Sequence, residues 1–373
     1  MNWRDSLLSI DWIIVACAML LVITGLAMFF STNDAQGTLS PLFIRQGLTA
    51  TAGLLCMFFL SQVSYHSLKR FIPILYVLGV AGLVVVSVTG RIIRGTISRF
   101  EIVGFQLQPS EAMKVIIVLM LAWFLCRVKT PRLNVLLMSI LIIGIPVGLI
   151  VAEPDVGMAS LLLAVWGGCL IFKGLSWRVV GVLAIIGSLL AVGAWQWVLL
   201  DYQKARLHSF IDPAGDPLGA GYNVSQSIVA LGSGQFFGRG LGHGPQSQLK
   251  FLPERHTDFI LASIGEELGF VGVGVVIFIY GIMLWRILLV AQRTSEPFGQ
   301  LIAVGTFLTL LTSLFVSAGM NMGLLPVTGI PLSLVSYGGS NLITTFILLT
   351  LVESVRIHSR FSRHTPPEIS YIN

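Results

Sequence analysis

The sequence predicts an all-α polytopic membrane protein of about ten transmembrane helices, with a large extracytoplasmic loop between helices 7 and 8. Three observations lead there. Hydrophobic residues make up 55% of the 373 positions against 11% charged, and mean hydropathy is +0.88, so a soluble fold would turn mostly hydrocarbon to water. Apolar runs of about 20 residues recur, the length a helix needs to cross a hydrocarbon core of roughly 30 Å. Alternating short strands of the kind that build a barrel do not appear.

The spans fall near residues 11–30, 42–61, 71–89, 107–126, 133–152, 157–173, 178–199, 259–285, 299–320 and 337–356 of one domain, 1–373. The first run follows a single basic residue, Arg4, is too long for a signal-peptide core and lacks a small-residue cleavage site, so it reads as an uncleaved helix. An even number of spans puts both termini on one side. Lys69 and Arg70; Arg127, Lys129 and Arg132; Lys173 and Arg178; Arg286 and Arg293; and Arg356, Arg360 and Arg363 mark that side as cytoplasmic. Outer cations between Arg91 and Lys114, and in the loop 200–257, run against this bias and are candidates for holding an anionic ligand.

Cys17, Cys56, Cys126 and Cys169 fall in or at the end of apolar segments and read as buried small apolar residues. The net charge of +6 suits anionic headgroups, and no nucleic-acid motif is present. No internal repeat is visible, which weakens a repeat-built transporter. Gly144 with Gly148 and Gly265 with Gly269 have the spacing of helix-packing pairs.

Polar constellations gather on the outer side. FQLQPSEAMK, Phe105–Lys114, starts a span with Pro109 and places Glu111 and Lys114 on one helical face, as a structural ion pair or a substrate-facing one. Glu153 and Asp155 mark either a solvated turn or a divalent-cation site, with the turn preferred. The loop carries nine glycines between Gly215 and Gly244, which argue for tight turns without a nucleotide-binding context. At its end stands FLPERHTDF, Phe251–Phe259. Thr257 reads as an N-cap, placing Asp258 in the first turn of the next span, and Glu266 and Glu267 deeper in that span imply a hydrated cavity. MNMGLLPVTGIPLSLVSYGGSN, Met320–Asn341, breaks at Pro326, Gly329 and Pro331; Ser340 lies at a helix start that either receives phosphate or is simply capped.

In this order, FQLQPSEAMK, EPDVG, DPLGAGYNVSQSIVALGSG, FLPERHTDF with EELG, and GLLPVTGIPLSLVSYGGS resemble the SEDS family (shape, elongation, division and sporulation), that of the RodA and FtsW proteins, over essentially the whole chain. Arg255 is more similar to the rod-elongation branch. The resemblance implies a glycosyltransferase of the bacterial inner membrane that polymerises lipid II during wall elongation, beside a class B penicillin-binding protein and other elongation-complex proteins. It places the essential aspartate on Asp258, substrate-binding positions on Glu111 and Lys114, and outer cations on Arg45, Arg99 and Arg206. Phe100, Glu153 and Gln235 depart from the family's frequent Trp, Gln and Gly.

Joining a sugar hydroxyl to an anomeric carbon that carries a pyrophosphate needs one base and positive charge for the leaving group. Asp258 is then either the base or a ligand for a divalent cation such as Mg or Mn, with Arg45, Arg99, Arg206 and Lys114 on the phosphates. A lipid II flippase and a non-catalytic scaffold are the alternatives.

Overall fold

A computed structural model of the chain describes residues 9–31, 40–89, 91–93, 96–102, 105–197, 203–204, 210 and 220–361. It is a helical bundle of the membrane-protein type. The helices are α1 (Trp12–Ser31), α2 (Pro41–Leu60), α3 (Ile72–Thr89), α4 (Pro109–Leu125), α5 (Leu133–Ala152), α6 (Val156–Phe172), α7 (Trp177–Trp197), α8 (Ala220–Ser233), α9 (Pro245–Gln248), α10 (Ile260–Arg293), α11 (Pro297–Asn321) and α12 (Gly339–Phe361). Six of them, α1, α2, α5, α10, α11 and α12, are long and apolar enough to cross a membrane, and shorter apolar stretches run in α3, α6 and α7.

Local chemistry sets the helix starts on the Asp258 side. Ser40 caps α2 through Oγ, which accepts from the Phe43 amide at 3.1 Å, and Pro41 fixes the first turn. Pro109 opens α4 in the same way, with Glu111 in its first turn where the helix dipole favours negative charge. Asp155 caps α6, accepting from the Met158 amide at 2.9 Å. The turn expected at Glu153 and Asp155 is present, but it is only partly solvated: Asp155 is half-buried and caps α6, and Glu153 is buried.

Two regions depart from the expected all-α pattern. Residues 91–107 form a three-stranded antiparallel sheet, β1 (Arg91–Ile93), β2 (Thr96–Ile102) and β3 (Phe105–Leu107), in which Arg91 pairs with Arg99 and Phe100 with Leu107. β-Branched and aromatic residues favour strands there, but two of the three are only three residues long, too short for alternation to show. The expected loop 200–257 contains the 14-residue helix α8, packed against α10 and α11.

α10 also runs two turns past the expected residue 285, to Arg293, and breaks at Gly269, whose φ of 70° is costly for any residue with a Cβ. The loop after α8 fits into that break. Phe270 and Val271 amides donate to the Gln235 and Phe236 carbonyls, and Arg239 and Gly240 amides donate to the Glu266 and Glu267 carbonyls. Gly234 makes this possible, since a Cβ there would collide with the Gly265 carbonyl. Gly265 and Gly269 thus serve close packing as expected, whereas Gly144 and Gly148 face open space.

Buried Leu, Ile, Val, Met and Phe side chains fill the centre, while outward faces expose Phe59, Val77, Val88, Leu133 and Phe278, as suits a lipid boundary. Cys56 is exposed on such a face rather than buried. Exposed Trp12, Trp177 and Trp285 lie beside Asp11, Arg178 and Arg286, at the end of the bundle far from Asp258 along α1 and α10, an arrangement typical of a membrane–water interface.

Candidate functional site

Asp258 sits on a turn, residues 253–259, between α9 and α10. The N-cap of α10 is Phe259, with no side-chain cap, so Asp258 precedes the cap and lies outside the first helical turn expected for it. Thr257 does not cap the helix because its Oγ1 is turned to Glu254, at 3.3 Å from the carbonyl and 3.0 Å from Oε2.

The missing cap is supplied from another helix. Asn321, fully buried at the end of α11, accepts from the Ala262 amide at 2.9 Å and donates to the Asp258 carbonyl and the Ser317 carbonyl, each at 2.8 Å. One residue earlier, the Thr257 carbonyl accepts from Ser336 Oγ at 2.7 Å; one earlier still, the His256 carbonyl accepts from the Tyr337 amide at 2.7 Å. Three consecutive peptide units are therefore fixed by α11 and the segment that follows it. Ser227 Oγ of α8 in turn donates to the Asn321 carbonyl at 2.8 Å.

That following segment, 322–338, is irregular; Ile330 and residues 332–336 are buried in protein, as non-helical backbone at membrane depth must be, while Met322 and Leu324 near its start are exposed. Gly25 of α1 and Gly157 of α6 let the Val335 and Thr328 carbonyls approach closely; a Cβ at either glycine would collide with them. The buried Gln46 amide donates to the Ser336 carbonyl at 3.1 Å and accepts from the Gly338 amide at 3.4 Å. Gly329, with a φ of 76°, faces Asp258: a Cβ there would lie 3.9 Å from Oδ2.

Further along, the start of α12 meets the start of α4. Ser340 Oγ accepts from the Gln108 amide at 3.2 Å, and Gln108 Nε2 reaches Asp155 Oδ2 at 3.4 Å. Lys114 Nζ forms an ion pair with Glu111 Oε2 and donates to Asn341 Oδ1 at 2.9 Å, while Thr344 Oγ1 donates to Glu111 at 3.2 Å. Both charges are buried, a costly arrangement that holds because each has a partner. Ser110 Oγ and Asn341 Nδ2 are buried beside the pair without a hydrogen-bond partner among the described residues, so two polar groups remain for something else.

The other expected site residues are distributed differently. Arg45 is exposed on α2, one residue before Gln46, and makes no ion pair with a described residue. Arg99 lies in the middle of β2, whereas Arg206 is outside the described residues. Arg255 is turned toward α9, donating to the Ser247 carbonyl through Nη1 and to His256 Nε2 at 3.3 Å through Nε. Burial, and then the Arg255 charge, hold His256 down at about 4, so it is neutral near pH 7 and adds no positive charge.

Glu266 and Glu267 do not line a hydrated cavity. Glu266 accepts from the Gln246 amide at 2.7 Å, the Ser247 amide at 2.9 Å and Ser247 Oγ at 2.5 Å; Glu267 accepts from Ser31 Oγ, the Gly242 amide at 3.2 Å and Gln248 Nε2 at 3.1 Å. The two carboxylates tie the glycine-rich loop to α10, which explains acidic residues in an apolar helix. Glu153, just past the end of α5, is pushed up to about 7 by burial and by Asp155, against a 3.4 Å hydrogen bond from Ser87. No cluster of three His, Cys, Asp or Glu side chains able to hold a metal occurs among the described residues.

Sequence reasoning missed Asn321, Gln46 and Asn341, the amides that join these elements. Their signal was an uncharged amide in an apolar helix, which must find buried partners.

The sequence model of the FTSW_RODA_SPOVE family, described as cell cycle protein, matches residues 8–361. The peptidoglycan glycosyltransferase MrdB of Escherichia coli (strain K12) is 38% identical over 346 residues, 92% of this chain and 93% of that one. Stage V sporulation protein E of Bacillus subtilis (strain 168) is 31% identical over 372 residues, 94% and 98% of the two chains. Among solved structures, a chain from work on structural coordination of polymerization and crosslinking by a peptidoglycan synthase complex aligns with a TM-score of 0.80 at 30% identity, covering 94% of this chain and 98% of that one. The rod shape determining protein RodA of Thermus thermophilus aligns with a TM-score of 0.69 at 27% identity, covering 96% and 98%.

Proposed function

The chain belongs to the FtsW, RodA and SpoVE family, and from that premise we propose that it is a peptidoglycan glycosyltransferase whose catalytic carboxylate is Asp258. The observation that carries the assignment is the convergence of Asn321, Ser336 and Tyr337 on the three peptide units ending at Asp258. A capping aspartate needs no such support. A base that must meet one hydroxyl does, because misplacement of about 1 Å costs on the order of 10²-fold in rate.

In the reaction, a sugar hydroxyl of one lipid-linked disaccharide attacks the anomeric carbon of another. The new C–O bond forms as the bond to the polyprenyl pyrophosphate breaks, and the hydroxyl proton passes to the Asp258 carboxylate. Lys114, Arg45, Arg99 and Arg206 hold the pyrophosphate oxygens, and Ser340 with the start of α12 adds hydrogen bonds. Glu111 orients Lys114 through their ion pair. A divalent cation, Mg or Mn, remains part of the proposal only as an ion held mainly by substrate phosphates and water, since the described residues supply too few ligands for a protein cage.

The surrounding picture is ten spans in the bacterial inner membrane, both termini cytoplasmic, with the loop 200–257 outside between the seventh and eighth spans. A class B penicillin-binding protein crosslinks the product. Lipid II flipping is less well supported: Glu266 and Glu267 are committed to the loop, and Asp11, Arg286, Glu353 and Arg356 interlock at the opposite end of the bundle. Gel-resolved product formation from purified lipid II, with the protein alone and with its class B partner, tests the reading. Glycan ladders are expected; lipid II crossing vesicle membranes without ladders would replace it with the flippase, and neither activity would leave a scaffold.

A further inference from the structure

The glycine-rich loop after α8 carries two rings of a three-ring aromatic cluster. Phe236 stacks on Phe270 of α10 with centroids 5.8 Å apart, and Phe237 meets Phe236 edge-on at 5.0 Å. None of the three is buried: Phe236 is 57% exposed, Phe270 68% and Phe237 79%, and the exposed Leu241 follows. A contiguous apolar patch of this kind marks a surface that something covers. Phe270 also opens the outward stripe of α10, which continues through Val271, Val275 and Phe278 to Trp285, so the cluster is continuous with the lipid boundary.

Two helices measure how deep the loop lies. Phe270 and Trp285 stand at the two ends of uninterrupted helix beyond the break at Gly269, about 22 Å apart at a rise of roughly 1.5 Å per residue, against a hydrocarbon core of roughly 30 Å. With Trp285 at one interface, Phe270 falls inside the opposite boundary. α1 gives an independent measure: from the exposed Trp12 to Ser31 it rises about 28 Å, which brings Ser31 to that boundary. The Gly242 amide donates to Ser31 Oγ at 2.8 Å. One end of the loop is thus tied at the boundary, and Phe236, stacked on Phe270, lies deeper.

The backbone is paired as an apolar medium requires. The Gln235 and Phe236 carbonyls accept from the Phe270 and Val271 amides at 2.9 and 3.1 Å; the Arg239 and Gly240 amides donate to the Glu266 and Glu267 carbonyls at 3.0 Å each; and the Gly238 amide donates to the Gly234 carbonyl at 2.8 Å. A loop in water needs no such pairing, whereas non-helical backbone in hydrocarbon does. Arg239, the one charged residue in 235–241, is turned back to the end of α8, where Nε donates to the Ser233 carbonyl and Oγ at 3.2 Å each. Its long stem lets the charge reach for the headgroups while the rings stay below.

We infer that residues 236–241 are a membrane wedge: Phe236, Phe237 and Leu241 insert among the acyl chains of the leaflet on the Asp258 side, and phospholipid is the partner of this surface. Phenylalanine and leucine suit the hydrocarbon itself, whereas rings that lie at the interface carry the polar tip of Tyr or Trp. The inference does not depend on the glycosyltransferase reading.

The test places the photoreactive residue p-benzoylphenylalanine at Phe237, at Phe278 on the lipid face of α10, and at Lys129, exposed between α4 and α5. The full chain is irradiated in phosphatidylcholine nanodiscs, with and without a class B penicillin-binding protein, and adducts are read by mass spectrometry. Phe237 is exposed, so the larger ring has room. The expected adduct at Phe237 is phosphatidylcholine joined through an acyl chain, in the same yield as at Phe278, unchanged by the added protein and far above the yield at Lys129. A yield no greater than at Lys129, in a protein that labels fully at Phe278, would leave the loop in water and overturn the inference. Adducts to the headgroup alone would put the loop on the membrane surface and overturn insertion. Replacement of the lipid adduct by a crosslink to the penicillin-binding protein or to a second copy of the chain would make the cluster a protein-docking face and overturn it as well.

Discussion

Replacing Asn321 by Ala removes the one side chain that joins the start of α10 to the backbone of Asp258. Three hydrogen bonds of 2.8–2.9 Å are lost. The Ser317 carbonyl lies within α11 and tolerates the loss, whereas the Ala262 amide and the Asp258 carbonyl each lose the bond that Asn321 supplies. Each of these two groups, where left unsatisfied, costs about 1–3 kcal/mol, so a total of up to about 6 kcal/mol is expected, concentrated at the turn carrying the carboxylate. Released from α11, Asp258 can shift by about 1 Å, which lowers turnover on the order of 10²-fold. The assay is gel-resolved polymer formation from lipid II, beside the thermal midpoint of the purified protein. Turnover should fall far more than the folded fraction does. Wild-type turnover in a well-folded Asn321→Ala protein would refute the idea that this amide positions Asp258.

Lys114→Met leaves Glu111 buried without its cation and should destabilise by about 3–5 kcal/mol; Lys114→Met with Glu111→Leu should recover much of the thermal midpoint without recovering polymerisation. Glu153, raised to about 7, binds a proton in the folded chain between about 4.5 and 7 that the unfolded chain has released, so it favours folding at low pH and loses that advantage as pH rises through this window. Glu153→Gln should match wild type at pH 5 and melt at a higher temperature at pH 8, by an amount on the order of 3 kcal/mol at most; equal midpoints at both pH values would place the proton elsewhere. Gly234→Ala drives a methyl group into the Gly265 carbonyl and should release the loop from the break in α10, read as increased protease cleavage between residues 234 and 248 with α11 and α12 still protected.

The helices were legible because a membrane span is a long, one-signal feature: twenty apolar residues admit little else. The sheet at 91–107 was not, since two three-residue strands carry no readable period. Asp258 stood out by chemistry, but its position relative to α10 was misjudged. Thr257 is the residue type of a cap, yet Glu254 takes its hydroxyl, and Asn321, some sixty residues away in sequence, does the capping. Glu266 and Glu267 misled for the same reason. Their partners, Ser247, Gln248 and Ser31, are distant along the chain, so charge in an apolar helix indicated a need for polar company without indicating whose. Glu111 and Lys114, three residues apart on one helix, needed no such long-range knowledge, and their pairing was readable.

The central claim rests on one carboxylate. Asp258→Asn keeps the backbone carbonyl that Asn321 holds and the side-chain volume that faces Gly329, while removing the negative charge. Purified wild type and Asp258→Asn, each with the class B partner, are compared on lipid II, with and without chelator and at matched thermal midpoints. Ladders from wild type and none from the variant are predicted, and loss of the wild-type ladder on chelation would add a cation beside Asp258. Ladders of equal intensity from both proteins would contradict the account and remove Asp258 from the chemistry.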